Sequence, residues 1–91
     1  NDMSAMGVYQ AAREAGARIP DDLSVAGFDN LQESTFLNPP LTTVDQFISD
    51  MGALATDMVV RLVKGDALER NLHKITTQLV VRDSCLSVAP G

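Results

Sequence analysis

Only one cysteine, Cys85, occurs in the 91 residues, so no internal disulfide can form, and this usage suits a reducing cytosol. Cys85 has no activating base beside it and reads as a small apolar residue near the end of a strand. No basic run is present: the seven Lys and Arg are scattered and the net charge is −5, so the segment offers no footprint for phosphates and is not expected to touch DNA itself. Apolar stretches are only a few residues long, against roughly 20 needed to span a bilayer, and the first residues do not resemble a signal peptide. Repeats, low-complexity tracts and Gly/Ser linkers are also missing, so no internal domain boundary is marked.

The chemistry of an enzyme is missing in the same way. His73 is the only histidine, and it lies at a predicted strand start with no serine or cysteine motif around it. Gly-x-Ser-x-Gly, phosphate loops and clustered metal ligands do not occur, so neither catalysis nor a bound metal or cofactor is expected. Asp21-Asp22 precedes a strand within a turn, where adjacent acids are solvated or capping groups.

What remains is an ordinary folded composition, 45% hydrophobic and 21% charged. A chain of this length supports one small domain or part of one, burying only roughly 60–70% of its surface. It starts at Asn1 without an initiator methionine, and the expectation is a fragment of a longer protein.

Periodicity orders the elements. A first helix is predicted from Ser4 to Ala15, capped by Asp2 and ended by Gly16, with Ala5, Met6, Tyr9, Ala12 and Ala15 on one face. Leu23 to Phe28 is a short apolar run bounded by turn formers, the pattern of a parallel strand covered on both faces. Asp29 follows at its carboxyl end, which in open parallel sheets is where ligands bind. Leu31 to Leu37 suggests a short helix that Asn38-Pro39-Pro40 must end, and Leu41-Thr42-Thr43-Val44 is prone to extended structure. Phe47 to Lys64 carries the clearest amphipathic helix, its broad apolar stripe running from Phe47 and Ile48 through Met51, Leu54 and Met58 to Leu62 and Val63. Asp66 to Leu72 is turn-like, His73 to Arg82 is rich in β-branched residues, and Val88 to Gly91 forms a tail. Helices alternating with strands point to the α/β class.

Three separated stretches carry a family resemblance: Asn1 to Gly7, Ile19 to Asn30 with its Ile-Pro-Asp-Asp-Leu-Ser-Val-Ala-Gly-Phe-Asp core, and Pro40-Leu41-Thr42-Thr43-Val44 followed by Gln46 and Gly52. Together with Leu79-Val80-Val81-Arg82-Asp83-Ser84, they resemble the lactose/galactose-repressor (LacI/GalR) family of bacterial transcription regulators, in the expected order and spacing. The resemblance implies a type I periplasmic-binding-protein-like fold of two α/β subdomains closing on an effector, only partly represented here. Residues 1–44 and 76–91 would belong to the C-terminal subdomain and residues 45–75 to the N-terminal subdomain, with crossovers near Thr43 to Gln46 and Lys74 to Thr77. The implied protein is a cytoplasmic homodimer that senses a small molecule, a carbohydrate above all, and binds operator DNA through a helix-turn-helix outside this chain.

The resemblance also marks site residues. Asp29, of the Gly-Phe-Asp motif, would accept hydrogen bonds from effector hydroxyls, an acceptor-only role suited to a carboxylate; the alternative is a helix N-cap following the strand, and the two roles are compatible. Asn1 and Gln46 match cleft residues, with a helix cap or a hinge hydrogen bond as their alternatives. Phe47 stands where the family often has proline. Phe36 matches an interface position and is a candidate dimer anchor, core packing being the other possibility. An exported sugar-binding protein shares the fold and is the competing function, since fold alone does not separate sensor from transport receptor.

Overall fold

The computed structural model describes residues 1–68 and 72–88. Helix α1 spans Asp2–Ala15 and starts two residues earlier than its periodicity predicts. Its cap is Asn1, not Asp2: the Asn1 Oδ1 accepts from Ser4 N at 2.8 Å. An Asn side chain just outside the first turn satisfies one of the helix's orphan donors, which releases Asp2 to face inward. At the other end Gly16 adopts φ 72° and returns its N–H to the last turn, as a left-handed C-terminal glycine does.

The α1 face of Ala5 and Tyr9 packs on Val25 and Leu41, with Ile19 and Leu37 closing the edge of this small core. Alanine at position 5 lets the helix backbone come close to the extended segment beneath it, and Tyr9 anchors the far side through a 2.8 Å bond from its hydroxyl to Pro39 O. Burial pushes the Tyr9 phenol above its usual pKa, so it stays the protonated donor that this bond needs.

Residues 25 to 29 run extended beside 41 to 45, with single parallel pairings of Ala26 with Thr42 and Asp29 with Asp45. Gly27 N donates to Thr42 O at 2.8 Å and Asp29 N to Val44 O at 2.9 Å. Val25 faces the core while Leu23 and Phe28 stay exposed. Among the described residues α1 packs on one face of the segment through Ala5 and Tyr9, and the other face stays open at Leu23 and Phe28. A short 3-10 helix, Gln32–Thr35, replaces the predicted Leu31 to Leu37 helix and ends before the Asn38-Pro39-Pro40 turn.

Strand β1, Thr43–Asp45, pairs antiparallel with β2, Gln78–Val80, in the register Thr43 with Val80 and Asp45 with Gln78. The predicted strand over His73 to Arg82 shrinks to these three residues because β1 is only three residues long and offers nothing further to pair with. Helix α2, Ile48–Val63, lies within the predicted Phe47 to Lys64 span, yet buries none of its residues fully. Part of the predicted turn (residues 69–71) and the end of the predicted tail (residues 89–91) lie outside the described residues.

Candidate functional site

The carboxyl end of the 25–29 segment is built on unusual backbone. Asp29 has φ 120° and Asn30 φ 56°, and Phe47 across from them has φ 54°. Such values cost roughly 1–3 kcal/mol each for residues with a Cβ and persist only where surrounding bonds hold them. The bonds are visible. Asp29 N is tied to Val44 O, and the Asp29 Oδ1 accepts a short hydrogen bond from Gln46 Nε2. Asn30 N donates to Thr43 Oγ1 at 3.3 Å and its Nδ2 to Asp45 Oδ2 at 3.2 Å. Asp45 uses its other oxygen to accept Phe47 N at 2.8 Å, just before α2 begins. Proline at position 47 could neither make that donation nor reach φ 54°, so the departure from the family's usual proline is used structurally.

An open cleft of about 390 Å³ lies over this end of the sheet, lined by Asp29, Asn30, Asp45, Phe47 and the first turn of α2 as far as Asp50. Three carboxylates and no cation line it among the described residues. Its ionised carboxylates accept only and suit a ligand with hydroxyl or N–H donors, while Gln32 and Ser49 on the same lining can also donate. No group of three or more metal-ligating side chains occurs among the described residues.

Of the four candidates, Asp29 and Gln46 are brought together although 17 residues apart in sequence. Asn1 caps α1 and does not line the cleft; it stands next to Asp2, whose N–H donates to Phe28 O at 3.0 Å beside Asp29. Phe36 lies elsewhere, 75% exposed, in an open groove of about 520 Å³ with Met6, Tyr9 and Leu37. Within this chain Phe36 is therefore not part of the small core formed by Ala5, Tyr9, Val25 and Leu41.

The residues missed by sequence reasoning form the network beneath the cleft. Asp2 is 0% exposed; its Oδ1 accepts Thr43 Oγ1 at 2.6 Å and its Oδ2 accepts Leu31 N at 2.7 Å. Arg82 reaches under the turn from the end of β2: Nη1 donates to Leu41 O and Ser34 Oγ at 2.8 and 2.9 Å, and Nη2 to Asn30 Oδ1 at 2.8 Å. Buried Ser84 joins the same edge, accepting Thr42 N at 2.8 Å and donating to Val25 O at 2.5 Å. One signal could have pointed here: Gly27 inside an apolar extended run marks a place where another chain comes close, and Asp2 is what comes close.

A family model for the periplasmic binding protein-like domain matches residues 1–85. The chain belongs to this family. It is 40% identical over 84 residues to the ribose operon repressor of Halalkalibacterium halodurans, an overlap that covers 92% of this chain and 25% of that protein. Among solved structures, a LacI family transcriptional regulator from Enterococcus faecium with bound ribose superposes with a TM-score of 0.92 at 28% identity, over 98% of this chain and 33% of that one. The lac repressor dimer bound to operator and an anti-inducer superposes with a TM-score of 0.81 at 34% identity, over 96% and 30%. The fold is thus periplasmic-binding-protein-like, the homologues are transcriptional repressors rather than enzymes, and this chain spans about a quarter of the curated relative's length. Among the described residues no helix is long and apolar enough to cross a membrane.

Proposed function

We propose that this chain is the C-terminal part of the effector-sensing core of a cytoplasmic LacI-type repressor, and that its effector is a carbohydrate. The observation that carries the reading is the hydrogen bond from Gln46 to Asp29, a residue that lines the carboxylate-rich cleft, both standing at positions where the family resemblance puts effector contacts. Asp29 accepts sugar hydroxyls and Gln46 orients it, while Asn1 caps the helix whose first residue, Asp2, is tied to Phe28 O beside Asp29. Residues 1–44 and 76–91 form part of one subdomain and residues 45–75 part of the other, which accounts for a long helix none of whose residues is fully buried.

Effector binding favours one relative orientation of the two subdomains and so changes the spacing of DNA-binding heads in a homodimer, with Phe36 at its interface. The helix-turn-helix that contacts the operator belongs to the rest of the full-length protein. A regulator is favoured over an exported sugar receptor because the matched relatives are named repressors. Neither metal nor cofactor enters the mechanism.

A thermal-shift screen of the full-length protein against D-ribose, other sugars, sugar phosphates and purines tests the reading. A sugar at about 100 times its Kd stabilises the folded state by about 2.7 kcal/mol. Stabilisation by a sugar is the expected result; stabilisation by purines alone, or by nothing in the panel, overturns the carbohydrate assignment.

A further inference from the structure

We propose that Asn30 is a positioning residue for the effector site, and that its bond to Asp45 clamps the turn carrying Asp29 to the crossing segment carrying Gln46. The proposal rests on the reading of Asp29 as an effector acceptor. Asn30 and Asp45 are the immediate neighbours of Asp29 and Gln46, and the two segments meet in one register, Asp29 opposite Asp45.

The polarity of the clamp is fixed from outside. Arg82 can only donate, so Asn30 must present its amide oxygen to the guanidinium, which lies 2.8 Å away. The amide nitrogen is then left facing Asp45 Oδ2 at 3.2 Å, an acceptor that needs a donor. Arg82 is itself tied to Leu41 O and Ser34 Oγ, so the whole amide is held against the sheet. Asparagine also tolerates the left-handed backbone that position 30 adopts better than most residues with a side chain. From Asp45 the chain of bonds continues to Phe47 N and the start of α2. Asn30 therefore joins Arg82, Asp45 and the first turn of α2 while leaving the Asp29 carboxylate to the cleft. Holding the acceptors in place before the effector arrives removes an ordering cost that would otherwise weaken binding.

Exchanging the two side chains tests the clamp. Asn30→Asp keeps an acceptor for Arg82 but sets a carboxylate against Asp45. Asp45→Asn leaves one of its two donors, Asn30 Nδ2 or Phe47 N, facing an amide nitrogen. In the double variant Asn30→Asp/Asp45→Asn, donor and acceptor have exchanged sides and the clamp is restored. Each full-length variant is titrated by calorimetry with the sugar that stabilises the parent most in the screen, D-ribose being the first tried, beside Asp29→Ala and with the melting temperature recorded.

Each single variant is expected to bind about tenfold more weakly, corresponding to about 1.4 kcal/mol, with the double variant returning to within about threefold of the parent. Should Asn30→Asp not fold, the same comparison is made between Asp45→Asn and the double variant. Parent affinity in the single variants, or a double variant that regains its melting temperature without regaining affinity, overturns the clamp while leaving the Asp29 reading intact. Parent affinity in Asp29→Ala overturns both.

Discussion

Gly27 has no room for a side chain: a Cβ there would overlap Asp2 Oδ1, stand 2.8 Å from Leu41 Cδ2 and 3.3 Å from the Asp2 backbone. Asp2 Oδ1 is held by Thr43 Oγ1 and Leu41 is fully buried, so neither can move aside cheaply. Gly27→Ala should therefore destabilise the full-length protein by about 1–3 kcal/mol, read from its denaturation midpoint. Asp2→Ala should be at least as costly, because it leaves Leu31 N and Thr43 Oγ1 without their buried acceptor, at about 1–3 kcal/mol for each orphan. The two substitutions share a contact and will not add; their double variant should lose clearly less than the sum, and strict additivity would show that Asp2 does not limit position 27. Gly27 signals a close approach from the sequence alone, but what approaches it does not show there. Asp2 looks like a cap on its own, and its burial depends on Thr43 and Leu31, 41 and 29 residues away. Asp29 stood out by its place after an apolar run, whereas its partner Gln46 stood out only through the family resemblance.

The two long helices were the elements most fully legible, since an amphipathic repeat and a left-handed glycine are local signals: α1 forms with two residues more than predicted and α2 within its predicted span, whereas the short helix expected over Leu31 to Leu37 is only a 3-10 turn over Gln32–Thr35. Strands were less so, because their length is set by the partner's length, and β1 limits β2 to three residues. The cap of α1 is a sharp test of the revised start. Asn1→Ala should cost about 1 kcal/mol of stability, whereas Asn1→Ser keeps a capping oxygen and should not. In the turn after α1, Arg18 holds Asp22 through its side chain, backbone and charge, drawing the carboxyl below its ordinary value near 3.8. A depressed folded pKa contributes stability that is present above the ordinary carboxylate pKa and lost as pH falls through the lower folded value. The pair is exposed to solvent, so this contribution is small. Carboxyl NMR should show Asp22 titrating at higher pH in Arg18→Ala; an unchanged titration would mean that the bond does not form in solution.

The molecule as a whole is extended, with a Cα radius of gyration of 18.3 Å and extents of 58 × 29 × 15 Å. A compact chain of this length would have a radius of gyration of about 12 Å. The excess comes with a helix α2 that leaves Ile48, Met51, Val59, Leu62 and Val63 exposed and buries nothing fully. An unsupported apolar stripe of this kind should make residues 1–91 self-associate when expressed alone, seen by size-exclusion chromatography and small-angle scattering. A dispersed monomer that binds sugar would contradict the division into two subdomains. The effector site is the central claim, and calorimetric titration of the full-length protein and its Asp29→Ala variant with the sugar identified by screening tests it most directly. Loss of a charged hydrogen-bond partner should weaken binding by about 1.5–3 kcal/mol, with operator affinity in the absence of effector retained. Equal effector affinity in parent and variant would contradict the assignment of Asp29 to the effector site.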